Sequence, residues 1–203
     1  VPSILWTTVY LLFLPQLQQH GHYHNWTSFA WQFINGNAAP HLWYNVMMLQ
    51  FIIIMPFFWM LARWINHRSG HALIAFILVL IFELGWHLTY ALRVFHGPEA
   101  QRWYPLDRVF PSFLIFATAG TVLWQCYPKL SEVLKQHWLS QVVIWLALFY
   151  YVTLNFFSYG IPVRLTNAPY YLPSMIFYNL ATIGLIATFA LYMQQSRNQW
   201  LPM

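Results

Sequence analysis

Residues 72–95 read ALIAFILVLIFELGWHLTYALRVF, an apolar run interrupted by Glu83, His87 and, near its end, Arg93. Roughly 20 apolar residues in helical form cross the hydrocarbon of a bilayer, so this stretch predicts a transmembrane helix. Working outward, comparable stretches lie at about 1–17, 43–65, 106–127, 138–160 and 171–194, separated by polar, Pro-bearing or Gly-bearing breaks. The pattern predicts an all-α polytopic membrane bundle of about six transmembrane helices. The first span is short, and five is the alternative count. No repeat or low-complexity tract divides the chain, which reads as a single domain over 1–203.

Composition supports the same reading. Of 203 residues 60% are hydrophobic and only 6% charged, whereas a soluble domain carries roughly 25% charged residues. Aromatics reach 21%, a load suited to seating helices at headgroup level and to lining apolar cavities. The net charge of +5 comes from nine scattered Lys and Arg, which excludes a phosphate-tracking groove and with it a nucleic-acid partner. The lone Cys126 is expected to be a packing residue, since a single cysteine builds neither a disulfide framework nor a Cys-based metal site. No basic n-region or small-residue cleavage site announces a signal peptide.

The short connections Arg63 to His71 and Tyr127 to Gln136 predict antiparallel hairpins. The long connection at about 18–42 sets Trp26, Phe29, Trp31 and Phe33 among polar residues, which predicts an amphipathic helix in the membrane interface. With six spans, one face collects both termini with Arg63, Arg68, Lys129, Lys135 and Arg197. The other collects Arg93, Arg102, Arg108 and Arg164. Five against four places the termini in the cytoplasm. The second face also receives His20, His22, His24, His41 and His96, so polar chemistry is expected there.

Glu83 is the acid well inside a predicted span, and placing an ionisable group in hydrocarbon costs at least about 2.5 kcal/mol. His87 follows at four residues and Tyr90 at three more, so the three form one polar stripe on one helix face. An acid and an imidazole one turn apart can hold or pass a proton. The alternative is that they pin the bundle by hydrogen bonds to Gln50, Asn155 or Asn179 on neighbouring spans. Gly85 between them is expected to let another helix approach.

Asp107, Arg102 and Arg108 can cap a pocket with ion pairs or hold an anionic head such as a diphosphate, and snorkelling arginines read the same way. His20, His22, His24 and His41 make a metal site the lesser reading, because imidazole suits Zn, Cu, Ni or Fe but the spacing follows no closed zinc motif. Bis-His haem lacks a second histidine at mid-depth. No cofactor is predicted.

The stretch Trp86-His87-Leu88-Thr89-Tyr90-Ala91-Leu92, followed by a polar loop and a further span, resembles the second-helix region of membrane-embedded terpene cyclases, in which a Trp-Glu pair precedes a Tyr three residues later. His87 stands at the Glu position here, and the nearest acid is Glu83. The first half is similar to the EXPERA membrane domain of sterol isomerases and the sigma-two receptor. The likeness lies in a first span, an aromatic segment from Trp26 to Trp43, and a second span with a polar residue before Pro56-Phe57-Phe58. That residue, typically acidic, is Gln50 here, and Pro15 and Gln16 occupy the end of the first span. Pro105 to Phe110 is similar to the Pro-Leu-Glu-Glu segment of integral membrane lycopene cyclases.

These resemblances imply an isoprenoid or sterol-like substrate and a buried acid that protonates an epoxide or alkene. Aromatic walls would stabilise carbocations and exclude water. The expected function is therefore a membrane-embedded enzyme acting on an isoprenoid or other apolar lipid by proton transfer, as a cyclase or isomerase. Glu83 is its expected general acid and His87 the partner, with Tyr90, Trp86, Gln50, Asn155 and Asn179 forming the wall. The runner-up is a non-enzymatic lipid-binding protein or a small subunit of a larger membrane complex, and the third reading a metal or haem protein. Bilayer lipid and an apolar small molecule are the expected partners, with a second copy or other complex subunits as further ones.

Overall fold

The structure, a computed structural model, describes residues 2–18, 22–39, 41–95, 97–162 and 171–200, and for residues 2, 3, 69, 101 and 196–200 the backbone. The described residues are helical, with no strand among them. In chain order the helices are α1 (Pro2–Phe13), α2 (Trp26–Asn35), α3 (Leu42–His67), α4 (Ser69–Thr89), the short α5 (Ala100–Trp103), α6 (Leu114–Gln125), α7 (Tyr127–Gln136), α8 (Trp138–Phe157) and α9 (Pro173–Trp200). A π-helical segment, Tyr90–Phe95, extends α4, and 3-10 turns at Tyr104–Arg108 and Phe110–Phe113 lead into α6.

Four helices are long and apolar enough to cross a membrane: Leu42–His67, Gly70–Phe95, Trp138–Phe157 and Pro173–Gln195. Shorter apolar helices run over Ile4–Phe13 and Phe110–Gln125. Large apolar side chains point outward along all of them, with Ile53 76% and Trp124 80% exposed. Glu83, His87, Arg108 and Thr118 are meanwhile buried. That inversion of the soluble pattern makes the chain a membrane protein, because hydrocarbon accepts exposed Ile and Trp and rejects exposed carboxylates.

Helices α3, α4 and α6 pack on one another, α8 packs on α9, and α9 reaches back to α4 and α7. At the end where α3 turns into α4, Ile65, Ala72 and Ala75 are buried together against Leu61, Val122 and Cys126. Ala72 and Ala75 lie one turn apart and let the backbones close in. Cys126 is a free thiol in this packing, as expected of it. His71 fixes the α3–α4 turn by donating from Nδ1 to the Trp64 carbonyl at 2.7 Å and stacking on the Trp64 ring at 4.1 Å.

The opposite end is built from polar sequence. Asn25 caps α2: its Oδ1 accepts the Ser28 amide at 2.7 Å while Ser28 Oγ accepts the Asn25 amide at 3.1 Å, a reciprocal capping box. Phe29 and Phe33 pack inward on the cluster of Leu11, Ala38, Ala39 and Leu42, while Trp26, Trp31 and Ile34 face outward. Gly36 ends α2 at φ 69°, and a Cβ there would lie 2.6 Å from the Trp43 Cα. Both the left-handed backbone and the close approach require glycine. Gly85, in contrast, faces open space, with nothing within 4 Å of a built Cβ, so the close helix contact expected there is absent.

Two glycine substitutions check this assignment. Gly36→Ala should lower the stability of the detergent-solubilised protein by more than the roughly 1–2 kcal/mol of the left-handed backbone alone, because the clash adds to it. Gly120→Ala, in an open helical position with nothing within 4 Å, should be neutral or stabilise by up to about 1 kcal/mol. Thermal unfolding followed by intrinsic Trp fluorescence reads both.

Candidate functional site

Spacing of four and three residues brings Glu83, His87 and Tyr90 onto the inner face of α4, and all three are buried, at 0%, 4% and 5% exposed. Their side chains do not pair as the sequence suggests. His87 donates from Nδ1 to the backbone carbonyl of Glu83 at 2.9 Å. That bond places the Nδ1 proton and leaves Nε2 as the reactive nitrogen, with a lone pair in the neutral ring. The Glu83 carboxyl faces the backbone of Ile115 in the first turn of α6, and neither oxygen makes a hydrogen bond of acceptable geometry. Thr118, one turn further along the buried face of α6, also keeps its hydroxyl without a partner.

His87 opens onto a cavity of about 470 Å³. Its polar lining is His87, Asp107, Arg108, Ser112, Tyr171 and Asn179, and its apolar lining is Trp43, Phe113, Phe116, Met175 and Ile176. The Trp43 and Phe113 rings stack at 6.3 Å between centroids. Tyr171, just before α9, sits with its ring 5.0 Å from both His87 and Tyr90 and edge-on to Phe113 at 6.1 Å. Its hydroxyl donates to the Asp107 carbonyl at 2.6 Å. Burial, reinforced by the Asp107 charge, pushes the Tyr171 hydroxyl above the ordinary phenol range, so it stays a neutral donor below about pH 10.

Arg108 is the charged anchor of this end. Its Nε lies 3.3 Å from Asp107 Oδ1, and its Nη1 donates to the Asn35 carbonyl at 3.3 Å and to Asn37 Oδ1. Asn37 in turn donates its side-chain amide to the Tyr104 hydroxyl, and its backbone amide to Asn35 Oδ1 at 2.9 Å. The Gln50 side chain spans the same segment from α3, donating to the Arg108 carbonyl at 3.1 Å and accepting the Phe110 amide at 2.9 Å. Trp86 donates from Nε1 to Ser112 Oγ at 2.8 Å, and Ser112 donates to the Leu106 carbonyl at 2.5 Å. A second hollow of about 180 Å³ lies on the far side, lined by Tyr90, Tyr104, Asp107 and Arg108 among others, so the Asp107–Arg108 pair borders both spaces.

The structure thus brings His87, Asp107, Arg108 and Asn179 to one cavity and places Glu83, Tyr90, Trp86 and Gln50 in the shell that shapes it. Asn155, on α8, is half-buried and its carbonyl takes the Ser158 hydroxyl at 2.6 Å, away from the cavity. Arg102 is exposed and outside the lining. His22, His24 and His41 are exposed, with His41 edge-on to Tyr10, and His20 lies outside the described residues. Among the described residues no three His, Cys, Asp or Glu side chains gather as metal ligands. Sequence reading expected an aromatic wall but missed Asn35, Asn37, Ser112, Tyr171 and the wall residues Trp43, Phe113 and Phe116. The Asn-Gly-Asn turn at 35–37 was a signal for the first two, whereas nothing local marks Tyr171.

Fold and cavity together define a multi-pass helical membrane protein with a polar site inside the bundle. Comparison with protein-family models, curated proteins and solved structures finds no match for the chain.

Asn37→Leu should destabilise the protein by about 2–4 kcal/mol, because it removes an acceptor from the buried Arg108 guanidinium and a donor to the Tyr104 hydroxyl and buries an apolar side chain among them. Asn155→Leu should cost less than about 1 kcal/mol. Denaturant unfolding in mild detergent compares the two, and equal losses would contradict the network described.

Proposed function

We propose that the protein is a membrane-embedded enzyme that moves a proton on an isoprenoid or other apolar lipid, acting as an isomerase or cyclase. The observation that carries this reading is His87, whose Nδ1 is fixed by the Glu83 carbonyl while Nε2 is left to an aromatic-walled cavity. An imidazole with one nitrogen oriented by a backbone bond and the other facing a reactant is the usual arrangement of a general acid–base group.

In this reading His87 is the catalytic residue. Asp107, Arg108, Asn179 and the neutral Tyr171 hydroxyl receive the polar end of the lipid, and Trp43, Phe113 and Phe116 enclose the reacting carbons. Aromatic faces would stabilise positive charge developing on such a skeleton. Glu83, whose carboxyl is buried one turn away toward the Ile115 backbone, shapes the setting of the histidine rather than meeting the substrate. The proposal extends to topology: α1 and the 110–125 helix join the four long helices in a six-span bundle, α2 lies in the interface through Trp26, Trp31 and Ile34, and the termini face the cytoplasm.

Protonation chemistry leaves solvent hydrogen in the lipid. Protein purified in mild detergent and incubated in deuterated water with prenyl alcohols, or with the lipid it retains, should incorporate deuterium into that lipid. His87→Gln should slow incorporation by about 10²–10⁴-fold, and Glu83→Gln by less. Undiminished incorporation by a folded, inserted His87→Gln variant would sink the assignment.

A further inference from the structure

Two concave regions lie along α9, and a third borders the outer face of α6 beside them. The cavity at His87 is walled by Phe113 and Phe116 on one side and by Met175, Ile176 and Asn179 of α9 on the other. Further along, a hollow of about 230 Å³ lies between Leu123 and Tyr127 on one side and Ala187 and Ala190 of α9 on the other. An adjoining hollow of about 500 Å³ is bordered by Gly120, Leu123, Trp124 and Tyr127. Positions 116, 120 and 123 recur every three or four residues, so they form one face of α6. Positions 176, 179, 183, 187 and 190 do the same on α9. Both helices run away from the cavity, and α7 closes the far end by packing on α9.

The geometry points to a tail-binding groove: the ligand is an amphiphile with one extended hydrocarbon chain, its polar end at His87 and Arg108 and its chain laid between α6 and α9. This rests on the acid–base reading for the polar end only. The buried His87 imidazole, with no protein partner for Nε2 among the described residues, aims into the head of the groove. The far hollow is apolar apart from Ser131 and Gln194, which suits a chain rather than a second polar group. α6 rises about 17 Å from Leu114 to Gln125, longer than the roughly 15 Å of one leaflet's hydrocarbon, so a long prenyl or acyl chain fits and a short one fills only the head.

The test uses photoreactive geranylgeraniol, photoreactive geraniol and photoreactive palmitate on the detergent-purified full chain, with cross-links mapped by peptide mass spectrometry. A long probe should label both α6 and the 183–194 part of α9, and whether the prenyl or the acyl probe does so identifies the chain chemistry. Leu123→Trp and Ala190→Phe, on opposite walls of the far hollow, should each lower long-probe labelling about tenfold, the effect of displacing roughly two methylenes, while geraniol labelling near His87 stays unchanged. Long-probe labelling indifferent to both variants would overturn the groove. So would a change of oligomeric state in light scattering without a change in labelling, which would mean that a second copy covers it. Groove labelling retained in His87→Gln, with no deuterium incorporation by the unmodified protein, would keep the groove and remove the acid–base reading. Incorporation lost in His87→Gln but unaffected by chain length would do the reverse.

Discussion

Hydrocarbon offers a polar group no hydrogen-bond partner, so every polar side chain on a membrane-crossing helix must be met by another helix or by whatever fills the space between helices. In this protein the demand is concentrated at one end of the bundle. Arg108, buried to 9% exposure, is answered by Asp107, by the Asn35 carbonyl and by the Asn37 side chain. The two asparagines come from the end of α2 and the turn after it, buried over residues 35–39, and Gly36 is what lets that turn close tightly enough against Trp43. The Arg108 network therefore binds the end of α2, the start of α3 and the segment entering α6 into one unit.

That unit positions the cavity. Gln50 holds the backbone at 108 and 110, Ser112 links Trp86 of α4 to the Leu106 carbonyl, and Tyr171 bonds the Asp107 carbonyl while resting against His87. Each bond joins different elements of the fold, and together they keep the rings of Trp43, Phe113 and Tyr171 apart from a space that the bundle would otherwise collapse into. These bonds resist collapse of the cavity, because a donor stranded by collapse in this setting costs more than the extra apolar burial would return.

Glu83 and Thr118 stand outside this network. Both are fully buried near the contact of α4 with α6, and among the described residues neither has a well-aligned hydrogen-bond partner for its side-chain oxygens. A bundle built for stability alone would place Leu and Val there. Their presence next to a histidine that faces a cavity is what distinguishes the centre of this protein from ordinary helix packing.

The membrane class, the helical architecture and the polar stripe of Glu83, His87 and Tyr90 were legible in the sequence, because each depends on local chemistry: apolar length sets the four long spans, and a helix carries residues 83, 87 and 90 to one side whatever surrounds it. The gathering of Asp107 and Arg108 on the same side as His87 was legible for the same reason, since span order alone brings those ends together. What the Glu83 carboxyl meets, which of Gln50, Asn155 and Asn179 reaches the cavity, and the outward turn of Gly85 depend on the rotation of each helix about its own axis. The burial of Asn35 and Asn37 around Arg108, the arrival of Tyr171 and the hollows between α6 and α9 depend on packing between segments far apart in the chain. No periodicity records such distances, and only the assembled tertiary structure decided them.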